Sequence, residues 1–245
     1  MSLFSNMKSE GLEQSQDRLG GFQAFESDIY TGTVKALYAG ESKGGAVSVT
    51  LILDVGEGKE YRETFYVTNK NKENFFVNKG TKKKSPLPGF TVVNDICLIT
   101  TGKELHELET EEKVIKVWDS DAKAEVPKSV PMVTEALGQK VSVGVLKQLE
   151  NKTEKQGDEY VAIPETRDVN IVDKVFHPEF KVTVAEARQG KKNGEFWDAW
   201  LKRNQGQTRD RRELKDGEAS AAKPGTPPKT GAPAAAAPRK SLFGK

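Results

Sequence analysis

The chain has 245 residues, with 38 Lys and Arg against 36 Asp and Glu, two His, one Cys and a formal net charge of +2. The single cysteine, Cys97, excludes an intramolecular disulfide and a Cys-rich zinc ribbon, and the two histidines, His106 and His177, leave little material for a His-based metal site. Hydrophobic residues make up 36% of the chain, below the roughly 45–50% usual for a compact domain, so part of it is expected not to pack.

No run approaches the ~18 apolar residues of a membrane span. The opening Met1–Glu10 has no apolar signal core, so the chain reads as cytoplasmic and free of membrane. The sequon Asn151-Lys152-Thr153 then reads as an accident.

Residues 1–20 read as an N-terminal arm and 21–185 as one domain. Its first half has the texture of a β-meander. Asp28–Tyr38 is β-branched and aromatic, and Ser42-Lys43-Gly44-Gly45 supplies a turn. In 46–55, Val47, Val49, Leu51, Leu53 and Val55 share one face. After a turn at Gly56-Glu57-Gly58, Lys59–Thr68 alternates: Tyr61, Phe65 and Val67 point one way, Arg62, Thr64, Tyr66 and Thr68 the other.

Residues 69–135 read as a basic and helical insert. Its first part carries Lys70, Lys72, Lys79, Lys82, Lys83 and Lys84 against a single acid, Glu73, with Phe75 and Phe76 among them. Val92, Val93, Ile96 and Ile99 predict a helix that Gly102 ends. Leu105, Leu108, Val114 and Val117 predict shorter helical pieces. Two more strands follow: Lys140–Lys147, and a last strand over 159–163 and 167–172 bent at Pro164, joined by a charged hairpin at 151–158. Residues 186–205 predict a short aromatic helix, whose Phe196, Trp197 and Trp200 serve either the core or a protomer contact.

Residues 206–245 read as a disordered basic tail. Over 201–245 there are eleven Lys and Arg against four Asp and Glu, with no acid from Ala219 onward. The Pro- and Ala-rich runs Lys223–Lys229 and Ala232–Pro238 offer almost no apolar surface to offset the entropy of ordering. Large apolar side chains return only at Leu242 and Phe243. That tip is either a frayed terminus or a peptide that docks in a partner.

Three strands, a helical insert, then two strands is the element order of an OB-fold. The expected class is therefore mainly β (α+β): a five-stranded OB-fold-like barrel with a helical insert between strands three and four. An open antiparallel sheet with helices on one side is the rival.

No catalytic arrangement emerges. There is no G-x-S-x-G elbow, and Gly40–Gly45 lacks the Gly-Lys-Ser/Thr end of a P-loop. Asp119-Ser120-Asp121 reads as a solvated loop rather than a cation site. His106 reads as a surface position, His177 has no nucleophile to activate, and Cys97 reads as core. No enzyme, cofactor or metal is expected.

The basic-aromatic stretch carries the functional expectation. A single strand of nucleic acid presents phosphates and unpaired bases with exposed faces, and a binder without sequence preference answers with cations and rings. Arg62, Tyr66, Lys70, Lys72, Phe75, Phe76, Lys79, Lys82, Lys83 and Lys84 supply both. In an OB-fold the face of strands two and three is the usual groove, flanked by the first and last hairpin loops; Lys43 lies in one loop, Lys152 and Lys155 in the other. The bland account is a solvated lysine loop that Phe75 and Phe76 anchor to the core.

Asp17-Arg18-Leu19-Gly20-Gly21-Phe22, Glu26–Thr31, Tyr61–Lys70, Leu87-Pro88-Gly89-Phe90 and Asn94-Asp95-Ile96-Cys97 resemble single-stranded DNA-binding proteins encoded by bacteriophages of the N4-like type, over roughly residues 15–180. The resemblance implies an OB-fold, binding of unpaired DNA in phage replication, recombination and repair in the host cytoplasm, and tail contacts with replication or transcription proteins through Leu242 and Phe243. It leaves oligomeric state open. The tail departs from the acidic tails of bacterial versions and several phage ones: it is basic and so cannot compete with DNA for a basic groove. Two other readings stay open: an RNA-binding OB module, and a non-enzymatic interaction scaffold.

Overall fold

The computed structural model describes residues 24–119, 122–157, 159–191 and 193–214. The N-terminal arm, Ser120 and Asp121 of the acidic loop, and the tail tip with Leu242 and Phe243 lie outside the described residues.

Alternation builds the first sheet. Strands β1 (Asp28–Glu41), β2 (Val47–Gly56) and β3 (Lys59–Tyr66) pair antiparallel in sequence order. Leu37, Leu51, Leu53, Tyr61 and Phe65 turn inward and are buried, as their period-two spacing predicts. A bulge between Val34 and Ala36 bends β1 midway along its length. Two short strands, β4 (Phe75–Val77) and β5 (Lys84–Pro86), form a separate hairpin within the lysine stretch.

Helix α1 (Pro88–Thr101) stands where its apolar face predicts it. Pro88 occupies the first turn, and Gly102 ends the helix at φ 75° in the left-handed region. Val93, Ile96 and Cys97 enter the main core. Burial there pushes the Cys97 thiol up to about 12, so it serves as packing rather than as a nucleophile.

The rest of the insert departs from the expected helical pieces. Leu105 sits in a single 3-10 turn, but Val114 and Val117 belong to strand β6 (Glu111–Asp119), which pairs in unbroken register with β7 (Ala124–Met132). The contiguous pairs Val114-Ile115 and Val117-Trp118 favour a pleated surface, and two strand-length runs flanking a turn outcompete a helix of marginal length. Pro127 and Pro131 are four residues apart, so their missing N–H groups fall on the same edge of β7. The unbroken register with β6 places that edge away from β6.

Strands β8 (Lys140–Gln156) and β9 (Glu159–Phe176) form a long hairpin, with a register shift between Asn151 and Thr153. β8 pairs with the first half of β1. Eight strands thus share one large sheet, antiparallel except for one short pair. The order β9-β8-β1-β2-β3 leaves β3 and β9 as facing edges that exchange no backbone hydrogen bond among the described residues. A side chain spans the gap instead: the Glu63 carboxylate accepts from the Tyr61 hydroxyl at 2.6 Å and from the Val172 N–H at 2.7 Å. The expected five-stranded closed barrel is therefore corrected to a large, mainly antiparallel sheet with few helices that does not close through its backbone.

The last described elements lock onto that sheet. Helices α2 (Val184–Arg188) and α3 (Glu195–Asn204) pack beside β9. Trp200 is 2% exposed, against Leu146 and Phe176, and its indole N–H donates to Asp173 at 2.8 Å. Trp200 is core; Trp197 is half-buried and Phe196 exposed. Strand β10 (Thr208–Asp210) then pairs parallel with β8, and the Leu214 N–H donates to the Asn151 side chain. Residues 206–214 are thus part of the fold, although their composition places them in the tail.

Candidate nucleic-acid interface

The outward face of β3 carries Arg62, Thr64 and Tyr66, all exposed, with Tyr66 56% exposed. Registered beside them on β2 are Ile52, Thr50 and Ser48. Ile52 is buried, together with Ala36 and Tyr38 of β1, against Val130, Met132, Ile115 and Val117 of the β6–β7 hairpin. That hairpin therefore covers part of the β1–β2 face, and the accessible strip narrows to β3. The Thr64 hydroxyl is held at 2.8 Å by Thr50. From Arg62 to Tyr66 the strip spans about 13 Å of strand, at roughly 3.3 Å per residue.

At the Tyr66 end the strip meets the lysine hairpin. The approach of α1 to β3 depends on Gly89: a Cβ there would lie 2.4 Å from the Tyr66 carbonyl oxygen. The helix start thus packs on the strand end, and residues 67–87 must leave as an excursion, which is the β4–β5 hairpin. Its connecting loop is tight. Asn78 accepts from the Gly80 and Thr81 N–H groups at 2.9 and 3.1 Å. Lys79, Lys82 and Lys83 ring this loop, exposed and with no ion pair among the described residues. Phe76 is exposed on the hairpin, whereas Lys84 lies 4.1 Å over the Phe75 ring, so Phe75 already has a cation on one face.

Lys43 and Lys70 flank the same end. Lys43 lies in the β1–β2 turn, where Ser42 accepts from the Ala46 N–H. A Cβ on Gly45 in that turn would come within 3.8 Å of the Lys70 carbonyl, so the two loops lie side by side. Lys72 joins them but is spent locally on Glu41 at 2.6 Å. Lys152 and Lys155 are not brought to this cluster. They stand on the β8–β9 arm, beyond the Asp28 end of β1, while Lys43 follows the Glu41 end. Lys152 is moreover paired with Glu165 at 2.8 Å.

A cation that sequence reasoning missed sits at the other end of the strip. A cleft of about 400 Å³ between β3 and β9 is lined by Arg62, Arg167, Tyr61 and Asp168. Arg167 becomes a neighbour of Arg62 only when β9 is brought against β3, and no local pattern announces that. Trp118, 57% exposed on β6, was likewise hidden by the helical reading. A second cavity of about 560 Å³ lies apart from the strip, among α1, α2, α3 and β9, and includes Asp95, Lys174, Arg188 and Phe196. Burial raises the Asp95 carboxyl to about 6 there, opposed by Arg188 and Lys174.

Among the described residues, no group of three or more His, Cys, Asp or Glu is placed to hold a metal ion. His177 is occupied structurally, its Nδ1 accepting from the Glu179 and Phe180 N–H groups at 3.2 Å. No described helix is long and apolar enough to cross a membrane. No protein-family model, curated protein or solved structure matches the chain.

Proposed function

We propose that this chain binds single-stranded DNA without sequence preference, through the outward strip of β3 and the β4–β5 lysine hairpin, as an OB-fold-like protein of the phage type. The observation that carries the reading is the exposed run Arg62, Thr64, Tyr66, continued by Lys79, Lys82 and Lys83, none of which is ion-paired among the described residues. Stacking on Tyr66 and Phe76 would contribute roughly 1–3 kcal/mol per base, while ammonium groups follow the phosphates. Duplex bases are already stacked and cannot reach the rings, so duplex binds less well. The role is non-enzymatic: coating and shielding unpaired strands in the host cytoplasm during replication, recombination and repair, with the tail from Leu242 and Phe243 recruiting partners.

Titration of labelled single-stranded and duplex oligonucleotides at several salt concentrations tests the reading. If about four phosphates are neutralised, log K falls with log salt at a slope of roughly −3 for a single strand. Equal affinity for duplex, or a slope near zero, overturns it. Matched RNA in the same assay decides between DNA and RNA, since only contacts to the 2′-OH separate them.

A further inference from the structure

Strand β6 is an outer strand of the sheet: it pairs with β7 and with nothing else among the described residues. Its free edge presents a run of unpaired backbone donors and acceptors, the standing template for another strand. The other edge of β7 carries Pro127 and Pro131 and meets β1 at Met132, so it is not open to a further strand there; β6 has no proline. Its solvent face alternates charged Glu112 and Lys116 with large apolar side chains, Val114 71% and Trp118 57% exposed.

We propose that β6 pairs antiparallel with β6 of a second copy about a two-fold axis at Val114, making this chain a homodimer. The argument is self-complementarity. With Val114 opposite itself, Glu112 opposes Lys116 of the other copy, twice by symmetry, and Lys113 opposes Ile115. Over the overlapping residues 111–117 no like charges face each other directly in that register, and directly opposed cross-strand pairs of opposite charge stabilise a sheet. Moving the axis to Lys113 or Lys116 sets a lysine against itself. Lys113 is already paired with Glu111 of its own chain at 2.9 Å, which quiets the one diagonal approach of two lysines. The pairing joins two hairpins into a four-stranded ribbon, and the apolar Val114 face becomes its centre.

The test uses the full chain without nucleic acid. Sedimentation equilibrium should give twice the 27.0 kDa chain mass. Val114→Cys should form an interchain disulfide on mild oxidation, because opposed Cα atoms about 4.5–5.5 Å apart lie within disulfide range. The native Cys97 is buried and does not compete. Glu112→Lys should raise the dimer dissociation constant by roughly tenfold, since two opposed pairs turn repulsive, and adding Lys116→Glu should restore it. A monomer throughout, a Val114→Cys variant that cross-links no better than a cysteine placed at exposed Thr31, or an unchanged dimer in Glu112→Lys each overturn the proposal. Oligonucleotide affinity plays no part in these readouts, so they stand apart from the nucleic-acid reading.

Discussion

Tyr66 and Gly89 meet at one point of the chain and make opposite demands on it. The Tyr66 side chain is exposed and contributes little to packing, whereas its carbonyl is the surface on which Gly89 rests. Tyr66→Ala should therefore leave the melting temperature unchanged while weakening oligonucleotide binding by about 1–3 kcal/mol, roughly 5- to 150-fold. Fluorescence anisotropy alongside calorimetry separates the two effects, and a variant that binds as before removes the ring from the interface. Gly89→Ala should do the reverse first. Its Cβ meets backbone, which cannot swing aside like a flexible side chain, so the expected cost is about 1–3 kcal/mol of stability, read as a lowered denaturant midpoint. Any weakening of binding then follows from displacement of α1 relative to the end of β3.

At the scale of elements, the β4–β5 hairpin separates charge from fold. Its loop is held by Asn78 and by backbone hydrogen bonds between Asn78 and both Lys82 and Lys83, not by the lysine side chains. Replacing Lys79, Lys82 and Lys83 together by Gln should leave unfolding unaffected but reduce the salt slope by roughly 2, at about 0.7 for each phosphate of a single strand that is no longer neutralised. An unaltered slope would assign the lysines to solvent alone. This hairpin also marks how far the sequence could be read. Strands β1 to β3, α1 with its Gly102 end and the β8–β9 hairpin were legible because each carries a local period or terminator that its own residues satisfy. The exposure of Arg62 and Tyr66 was legible for the same reason. The β6–β7 hairpin was not: Leu105, Leu108, Val114 and Val117 fit a helical spacing as well as a strand, and only pairing with β7 decides. Nor were Arg167 beside Arg62, or the place of Thr208–Asp210 on β8, since both depend on residues more than 50 positions apart in the chain. Composition misplaced the start of the tail because it registers polarity, and β10 is polar yet hydrogen-bonded.

Across the whole molecule, the sheet's open seam hangs on one carboxylate whose charge the fold opposes. Glu63 bridges Tyr61 and the Val172 N–H between the facing edges of β3 and β9, and burial raises it from 4.5 to about 7, against the lowering effect of those two hydrogen bonds. A carboxyl with a raised folded value takes up a proton on folding. Its contribution is fully present below about pH 4.5 and is lost as pH rises toward and through 7, the reverse of an exposed, ion-paired acid such as Glu165, whose lowered value acts at acid pH. Asp95, raised to about 6 by burial, adds in the same direction over the lower part of that window. The protein should therefore lose stability between pH 5 and 7.5, by on the order of 2–3 kcal/mol from Glu63. Glu63→Gln keeps an acceptor for Tyr61 and Val172 but has nothing to titrate, so its melting temperature should fall less over the same range and exceed the wild-type value at pH 8. Differential scanning calorimetry of both chains from pH 5 to 8 measures this directly. Parallel curves for the two would mean that the seam is held by the packing of Tyr61 and Phe25 across it, and that the carboxylate is incidental.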